Sequence, residues 1–409
     1  MKKIKSFLVA AIAMAFVAPM FTACGDDDKS DTVESIVSEY TINDQMVANQ
    51  KAKSGKNVAV LLVAFGSTWN NAFQAFDKTK AAYEAAFPNA DVYVSFSSDI
   101  CINRASAGAN TDDNGNIVRR DYYEPRYLLH AIGAAKYGTI YVQSLQVIPG
   151  EEFAAVVAAV KKFMNNGYIA SAHLDDEYLA RLEANESIFL GMPLLSDPDE
   201  DVPQVAKELN ALYSSEAQDG TVAFMGHGNP EGYDYYGGNI RYLQLEKYLR
   251  ETPVVGQNYY VGTVDMNDTY AEDVLNHIDG GTFTYKVGSL SETVTYAPNP
   301  STTAQLFVLM SIAGDHAHND MSDPKDDESW FSLFNAKGIN TKAYERNFTE
   351  PCWTNKEEIQ AHGYIPGLAE RTAVRKLWME HTLEAIAKLG TDEALSTPTT
   401  APDEEEEEE

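Results

Sequence analysis

Two histidines in this chain stand where an apolar run breaks into glycine. His227 lies in Phe224-Met225-Gly226-His227-Gly228, and His316 lies in Ala313-Gly314-Asp315-His316-Ala317-His318-Asn319-Asp320. Neutral imidazole ligates divalent cations and changes charge near neutral pH, so a histidine placed this way can carry a metal or move a proton. A third loop of the same kind, Ile148-Pro149-Gly150-Glu151-Glu152, contributes Glu152. Two imidazoles and a carboxylate would give three protein ligands with open coordination positions, the arrangement of a catalytic rather than a closed structural metal site. His318 is expected to face away from the cleft. His130, His173, His277, His362 and His381 stand outside such loops and are read as structural.

Placing those loops requires strands. From Asn57 the sequence alternates strand and helix signals, the pattern of a parallel α/β sheet. Val58 to Phe65 is a continuous apolar run, as expected of a strand buried on both faces. Residues 72–87, 127–136, 152–164, 205–212, 271–277 and 373–389 read as helices, and 92–96, 139–148, 221–225, 259–264 and 306–312 as further strands. The two halves echo each other. A strand ends in Phe65-Gly66-Ser67 in one half and in Met225-Gly226-His227 in the other, and 84 residues from Gly66 to Gly150 match 88 from Gly226 to Gly314. The expected fold is therefore α/β with two similar lobes, each a parallel sheet flanked by helices, facing each other across a cleft. Ligands of open α/β sheets bind at the carboxyl ends of the strands, which places Glu152 and His316 on opposite walls of that cleft.

The ends of the chain bear on its compartment. Lys2, Lys3 and Lys5 precede an apolar run from Phe7 to Phe21 that closes in Thr22-Ala23-Cys24, the three parts of an export signal. A cysteine after two small residues resembles a bacterial lipobox, with cleavage before Cys24 and acylation of the new terminus. Gly25-Asp26-Asp27-Asp28 resembles the surface-export tag of lipoproteins in the Bacteroides group. The expected organisation is a signal peptide over 1–23, an acidic and polar tether over 24–54, lobes over 55–215 and 216–391, and a disordered acidic tail over 392–409. The expected location is the outer membrane, held by the lipid at Cys24. Acidic residues number 61 against 31 basic ones, so a nucleic-acid partner is excluded on charge. Three cysteines are too few for a disulfide scaffold or a thiolate zinc site, and Cys101 and Cys352 are expected to be unpaired.

The motifs Val63-Ala64-Phe65-Gly66-Ser67, Ser144-Leu145-Gln146-Val147-Ile148-Pro149-Gly150-Glu151-Glu152, Phe224 to Gly228, Ala313 to Met321 and Asp326-Asp327-Glu328-Ser329-Trp330 together resemble the anaerobic-type sirohydrochlorin cobaltochelatases. The resemblance covers roughly 58–389. It implies a class II chelatase that inserts Co²⁺ into a tetrapyrrole in anaerobic cobalamin biosynthesis, with Fe²⁺, Ni²⁺ or Zn²⁺ as other substrate metals and no organic cofactor. It implies that His227 and His316 bind the metal and that Glu152 completes or assists the site. Three features depart from the family: Gln146 replaces a common histidine, residues 287–303 look like an insertion placed to cover the cleft, and the chain carries an export signal. Arg104, Arg119, Arg120 and Arg126 are candidates to meet the tetrapyrrole carboxylates. A surface lipoprotein that captures a tetrapyrrole or metal without turnover, or one that removes metal from a scavenged ring, remains open at this stage.

Overall fold

The computed structural model describes residues 33–107, 110–111, 117–168, 172–230, 232–288, 290–345 and 363–387. The expected export signal, Cys24, His362, Cys352 and the acidic tail lie outside the described residues.

The first half runs α1 (Val33–Ser54), β1 (Val58–Ala64), α2 (Asn70–Ala86), β2 (Ala90–Phe96), α3 (Asp99–Ala107), a short pair β3 (Asn110–Thr111) and β4 (Ile117–Val118), α4 (Pro125–Ala134), β5 (Thr139–Ser144), α5 (Glu151–Met164), α6 (Asp176–Ala184) and β6 (Ile188–Gly191). Its main sheet is parallel, in the order β2-β1-β5-β6. The second half runs α7 (Asp201–Asp219), β7 (Thr221–Gly226), α8 (Ile240–Arg250), β8 (Tyr259–Thr263), α9 (Ala271–Asp279), β9 (Gly281–Val287), β10 (Leu290–Tyr296), β11 (Thr303–Val308), α10 (Trp330–Ala336) and β12 (Asn340–Lys342), followed by a C-terminal helix Thr372–Ala387. Its parallel sheet, read from the matching edge, is β8-β7-β11-β12. The two orders are the same: the first strand is internal, the second lies at an edge and the third passes to the other side. The fold is therefore α/β with two alike sheets, as the strand-end motifs implied.

Alternation along β1 shows how the layers meet. Val60, Leu62 and Ala64 point into an apolar layer that also takes Phe73 and Phe76 of α2, Val205 and Leu209 of α7, Phe224 of β7, Leu245 of α8 and Trp378 of the C-terminal helix. Ala59, Leu61 and Val63 face outward to Leu129, Val156 and Val160 on α4 and α5. Helices from both halves thus fill the space between the two sheets, and one continuous core joins the lobes.

Three expectations about organisation meet a different structure. The stretch expected to be tether is helical from Val33: Tyr40 and Val47 are buried, Tyr40 packs edge-on against Tyr127 at 4.8 Å, and Lys51 donates to the carbonyls of Ala135 and Lys136. From residue 38 on, where side-chain burial is described, only Tyr40 and Val47 among the apolar side chains of this polar helix are buried, too few to show as a periodic face. Second, α7 begins before the expected boundary at 215 and runs through it, yet packs on α8 and β7, while the C-terminal helix returns to β5 and β6 of the first sheet. Third, residues 287–303 supply one arm of an antiparallel hairpin, β9–β10. Its apolar side chains Tyr285 and Val287 sit on Ile240 and Leu243 of α8, and Tyr296 stacks on His277 of α9 at 4.4 Å. The hairpin buries its aromatic residues on these helices rather than covering the cleft.

Candidate active site at the strand ends

The loop after β7 is shaped by glycine. A Cβ at Gly226 would fall 2.4 Å from the Tyr242 ring, and Gly228 has φ +82° with the Met266 backbone nitrogen 2.8 Å from where its Cβ would be. Between them the His227 carbonyl accepts from the backbone N–H groups of Val264 and Asp265, at 3.0 and 2.9 Å. Those two bonds tie the loop after β7 to the loop after β8 and set Asp265 beside His227. The His227 Nδ1 lies 2.8 Å from the Gly228 carbonyl and 3.4 Å from an Asp265 oxygen. A carbonyl oxygen only accepts, so Nδ1 carries the hydrogen and Nε2 keeps its lone pair.

His316 begins a short π-helical turn, Ala317–Met321. Its Nδ1 donates to the Asp320 carboxylate at 2.5 Å, which again leaves Nε2 as the exposed ligating atom. The two imidazole centroids are 4.8 Å apart with their planes at 84°, and 44% and 42% of the two side chains remains open to solvent. Enclosure by protein lowers the His227 pKa, and the neighbouring His316 lowers it further. Burial also pulls on His316, but the Asp320 hydrogen bond and charge, with Asp265 and Asp315, outweigh it and raise that imidazole. The surroundings thus push the two imidazoles in opposite directions, His227 towards the neutral form and His316 towards the protonated one.

Glu152 stands in the first turn of α5, on the loop after β5 that corresponds to the loop after β11 carrying His316. One carboxylate oxygen accepts from the Ser97 hydroxyl at 3.1 Å. Burial pushes its carboxyl up to about 7 against the pull of that bond, and the charge of Glu151 adds to the rise. The walls interlock nearby: the Glu151 backbone N–H donates to Asn229 Oδ1 at 3.1 Å, and a Cβ at Gly150 would collide with the Asn229 side chain at 2.4 Å.

The structure brings His227 and His316 together and holds Glu152 apart, against Ser97. Among the described residues no three His, Cys, Asp or Glu side chains come close enough to hold a metal ion, so the set of His227, His316 and Glu152 is not assembled in this conformation. The carboxylates in contact with the histidines are Asp265 and Asp320. Sequence reasoning passed over Asp265, although Tyr259 to Val264 was read as a strand and Asp265 is the first acid after it. His318 does not face away from the cleft: its ring stacks on Trp69 of the other lobe at 3.9 Å. Gln146 is buried, with its Nε2 lacking a hydrogen-bond partner among the described residues, while its carbonyl accepts from the Trp378 indole at 3.1 Å. Arg120 is paired with Asp77 and Arg126 with Glu124. His130, His173, His277 and His381 are held by Asp44, the Tyr168 carbonyl, Tyr285 and Asp201, as expected of structural residues. Cys101 is a buried free thiol.

Two half-exposed imidazoles thus stand in contact, each with its Nδ1 held by a neighbouring oxygen. A family model described as cobalt chelatase (CbiK) matches residues 58–387. The chain belongs to the cobalt chelatase family. It is a metal chelatase and an enzyme. It is similar to the sirohydrochlorin cobaltochelatase of Salmonella typhimurium, 25% identical over 333 residues that cover 80% of this chain and 96% of that protein. It is equally similar to sirohydrochlorin cobaltochelatase CbiKC of Nitratidesulfovibrio vulgaris, 25% identical over 334 residues, covering 81% of this chain and 91% of that one. Among solved structures, SirB from Bacillus subtilis with Fe³⁺ aligns over 81% of this chain and 96% of its own, with 11% identity and a TM-score of 0.43.

Proposed function

We propose that this chelatase inserts Co²⁺ into sirohydrochlorin. The observation that carries the reading is the histidine pair: two half-exposed imidazoles in contact, with Nδ1 of each fixed by the Gly228 carbonyl and the Asp320 carboxylate. Both relatives named above are sirohydrochlorin cobaltochelatases, which supports the enzyme over a protein that only captures its ligand. In the reaction the free macrocycle loses two inner N–H protons as the divalent cation enters, so metal and ring nitrogens form the new bonds and two protons leave. His227 and His316 present the cation from one side, with Asp265 beside them as the carboxylate that offsets its charge. Glu152, with its carboxyl held near neutrality across the cleft, is suited to accept a ring proton. The flat substrate needs apolar surface, and Phe65, 47% exposed at the end of β1, provides some.

Incubating the protein with sirohydrochlorin and Co²⁺ while following the absorption change tests this reading. Insertion that depends on both histidines is the expected result, and a wild-type protein that leaves the spectrum of the free ring unchanged overturns it. Running Fe²⁺, Ni²⁺ and Zn²⁺ in parallel ranks the metals.

The proposal extends to location. The charged, apolar and small-residue parts of residues 1–24 support export and acylation at Cys24. Cys24→Ala is expected to release the protein from membranes or block its maturation. Intact mass showing an unmodified mature N-terminus would overturn the anchor.

A further inference from the structure

The loop after β1 and the loop after β11 touch at their tips. Trp69 lies flat on His318, with ring centroids 3.9 Å apart and planes at 17°. Its indole N–H donates to the Asp315 carboxylate. The Thr68 hydroxyl donates to the same carboxylate at 3.3 Å. All three contacts cross from one lobe to the other, and their partners in the second lobe, Asp315 and His318, flank His316 closely in the chain.

These contacts are not needed to hold the lobes together, because a continuous apolar layer already does so. Nor are they core packing. Asp315 is exposed, Trp69 and His318 are only half-buried, and a Cβ at Gly314 would meet nothing nearer than the Ser67 hydroxyl, at 3.6 Å. The contact is thus made at the surface by side chains alone. A ring stack and two hydrogen bonds in reach of water are weak interactions that side-chain rotation can break without moving either sheet.

We propose that Trp69, His318 and Asp315 form a latch across the mouth of the cleft, which opens to admit a planar tetrapyrrole and closes behind it. The proposal rests on the tetrapyrrole reading of this site. Closed, the latch narrows the approach to His316. Open, it clears the approach to His316, with exposed Phe65 as apolar surface for the flat macrocycle. The latch sets how fast the ring comes and goes; insertion of the metal belongs to the histidine pair.

The test measures association and dissociation of metal-free sirohydrochlorin with the full chain by stopped flow. Trp69→Ala and His318→Ala are each expected to speed both rates several-fold while changing the dissociation constant little. The double variant should be no faster than either single one, since both remove the same contact. Unchanged rates overturn the latch. So does slower association, or a faster dissociation alone, which would make Trp69 a platform for the ring. A second readout needs no tetrapyrrole. In protein labelled with 5-fluorotryptophan, the Trp69 fluorine resonance, identified by its loss in Trp69→Phe, should shift in His318→Ala and show exchange on the millisecond scale. A resonance that neither shifts nor exchanges overturns the latch. A wild-type chain that binds no sirohydrochlorin overturns the proposed function, and the fluorine spectrum still decides whether these side chains open.

Discussion

The two lobes share a strand order but spend the same loop positions on different chemistry. After β11 the loop carries His316, braced by Asp320 and facing His227. After β5 the matching loop carries Glu152, whose carboxylate turns to Ser97. One wall holds a pair of imidazoles, and the other a carboxyl raised by burial to about 7. The lobes also differ in what covers their outer faces. The first adds α1 against α4, while the second adds the β9–β10 hairpin against α8 and α9. Two sheets of like strand order thus carry two different sets of side chains at corresponding loops, and the proposed metallation chemistry would reside in that asymmetry.

Removing the imidazoles is the hardest blow to that asymmetry. His227→Ala and His316→Ala should each lower cobalt insertion by on the order of 10²-fold or more. The double variant should be little worse than either, because residues that act as a unit are not additive. Both side chains are nearly half exposed, so melting temperature should hardly move. Variants with parental rates would take the pair out of the mechanism, and a fall in activity that only tracks a fall in folded fraction would make the pair structural.

Asp265 comes next. Asp265→Asn keeps the shape beside His227 but removes the charge, and should weaken cobalt binding or turnover by about 10- to 100-fold. Cobalt titration followed by the metal's visible absorption reads this directly. An unchanged affinity would take Asp265 out of the site and leave Asp320, bonded to His316, as the carboxylate in contact with the pair among the described residues.

The difference in outer cover is tested by truncation. A chain beginning at Val33 should fold as the parent does. One beginning at Gly55 exposes the surface that Tyr40 and Val47 cover and should lose on the order of 3–6 kcal/mol, from two buried side chains at about 1.5–3 kcal/mol each. Equal urea midpoints for the two fragments would show that α1 adds nothing to the first lobe.

Much of this architecture was legible because its signals are local. A short unbroken apolar run such as Val58 to Ala64, rich in valine and followed by glycine, reads as a doubly buried strand, and glycine beside histidine at the end of such a run marks a strand-end loop open to close approach. The repeated spacing between Gly66 and Gly150 and between Gly226 and Gly314 carried the two-sheet reading. What escaped depends on contacts between distant residues. Asp265 looks like any loop acid until the His227 carbonyl draws in its backbone, and His318 finds its partner in Trp69, far away in the chain. The return of the C-terminal helix to β5 and β6 has no local signature either, since Trp378 could fill any apolar layer.

The smallest expected effect lies on the opposite wall. Glu152→Gln keeps the size of the side chain and its contact with Ser97 but cannot take up a proton, and it should slow insertion by about tenfold at pH 8, less than the usual loss for a general base because released protons can also reach water. The pH dependence identifies the role. In the parent the carboxyl, raised to about 7 by burial, must be ionised to act, so the rate should climb as pH rises through that value. In Glu152→Gln that limb should disappear. Stability runs the other way. A carboxyl raised from 4.5 to about 7 is protonated in the folded state where the unfolded chain has already lost its proton. The folded state then binds more protons, and stability falls as pH rises across that window. Glu152→Gln removes this dependence, so its melting temperature should match the parent near pH 4 and exceed it by a few degrees at most above pH 8. Parallel melting curves at all pH values, together with an unchanged rate limb, would show that Glu152 neither titrates in this range nor accepts a proton. The two walls would then differ only in that one of them binds metal.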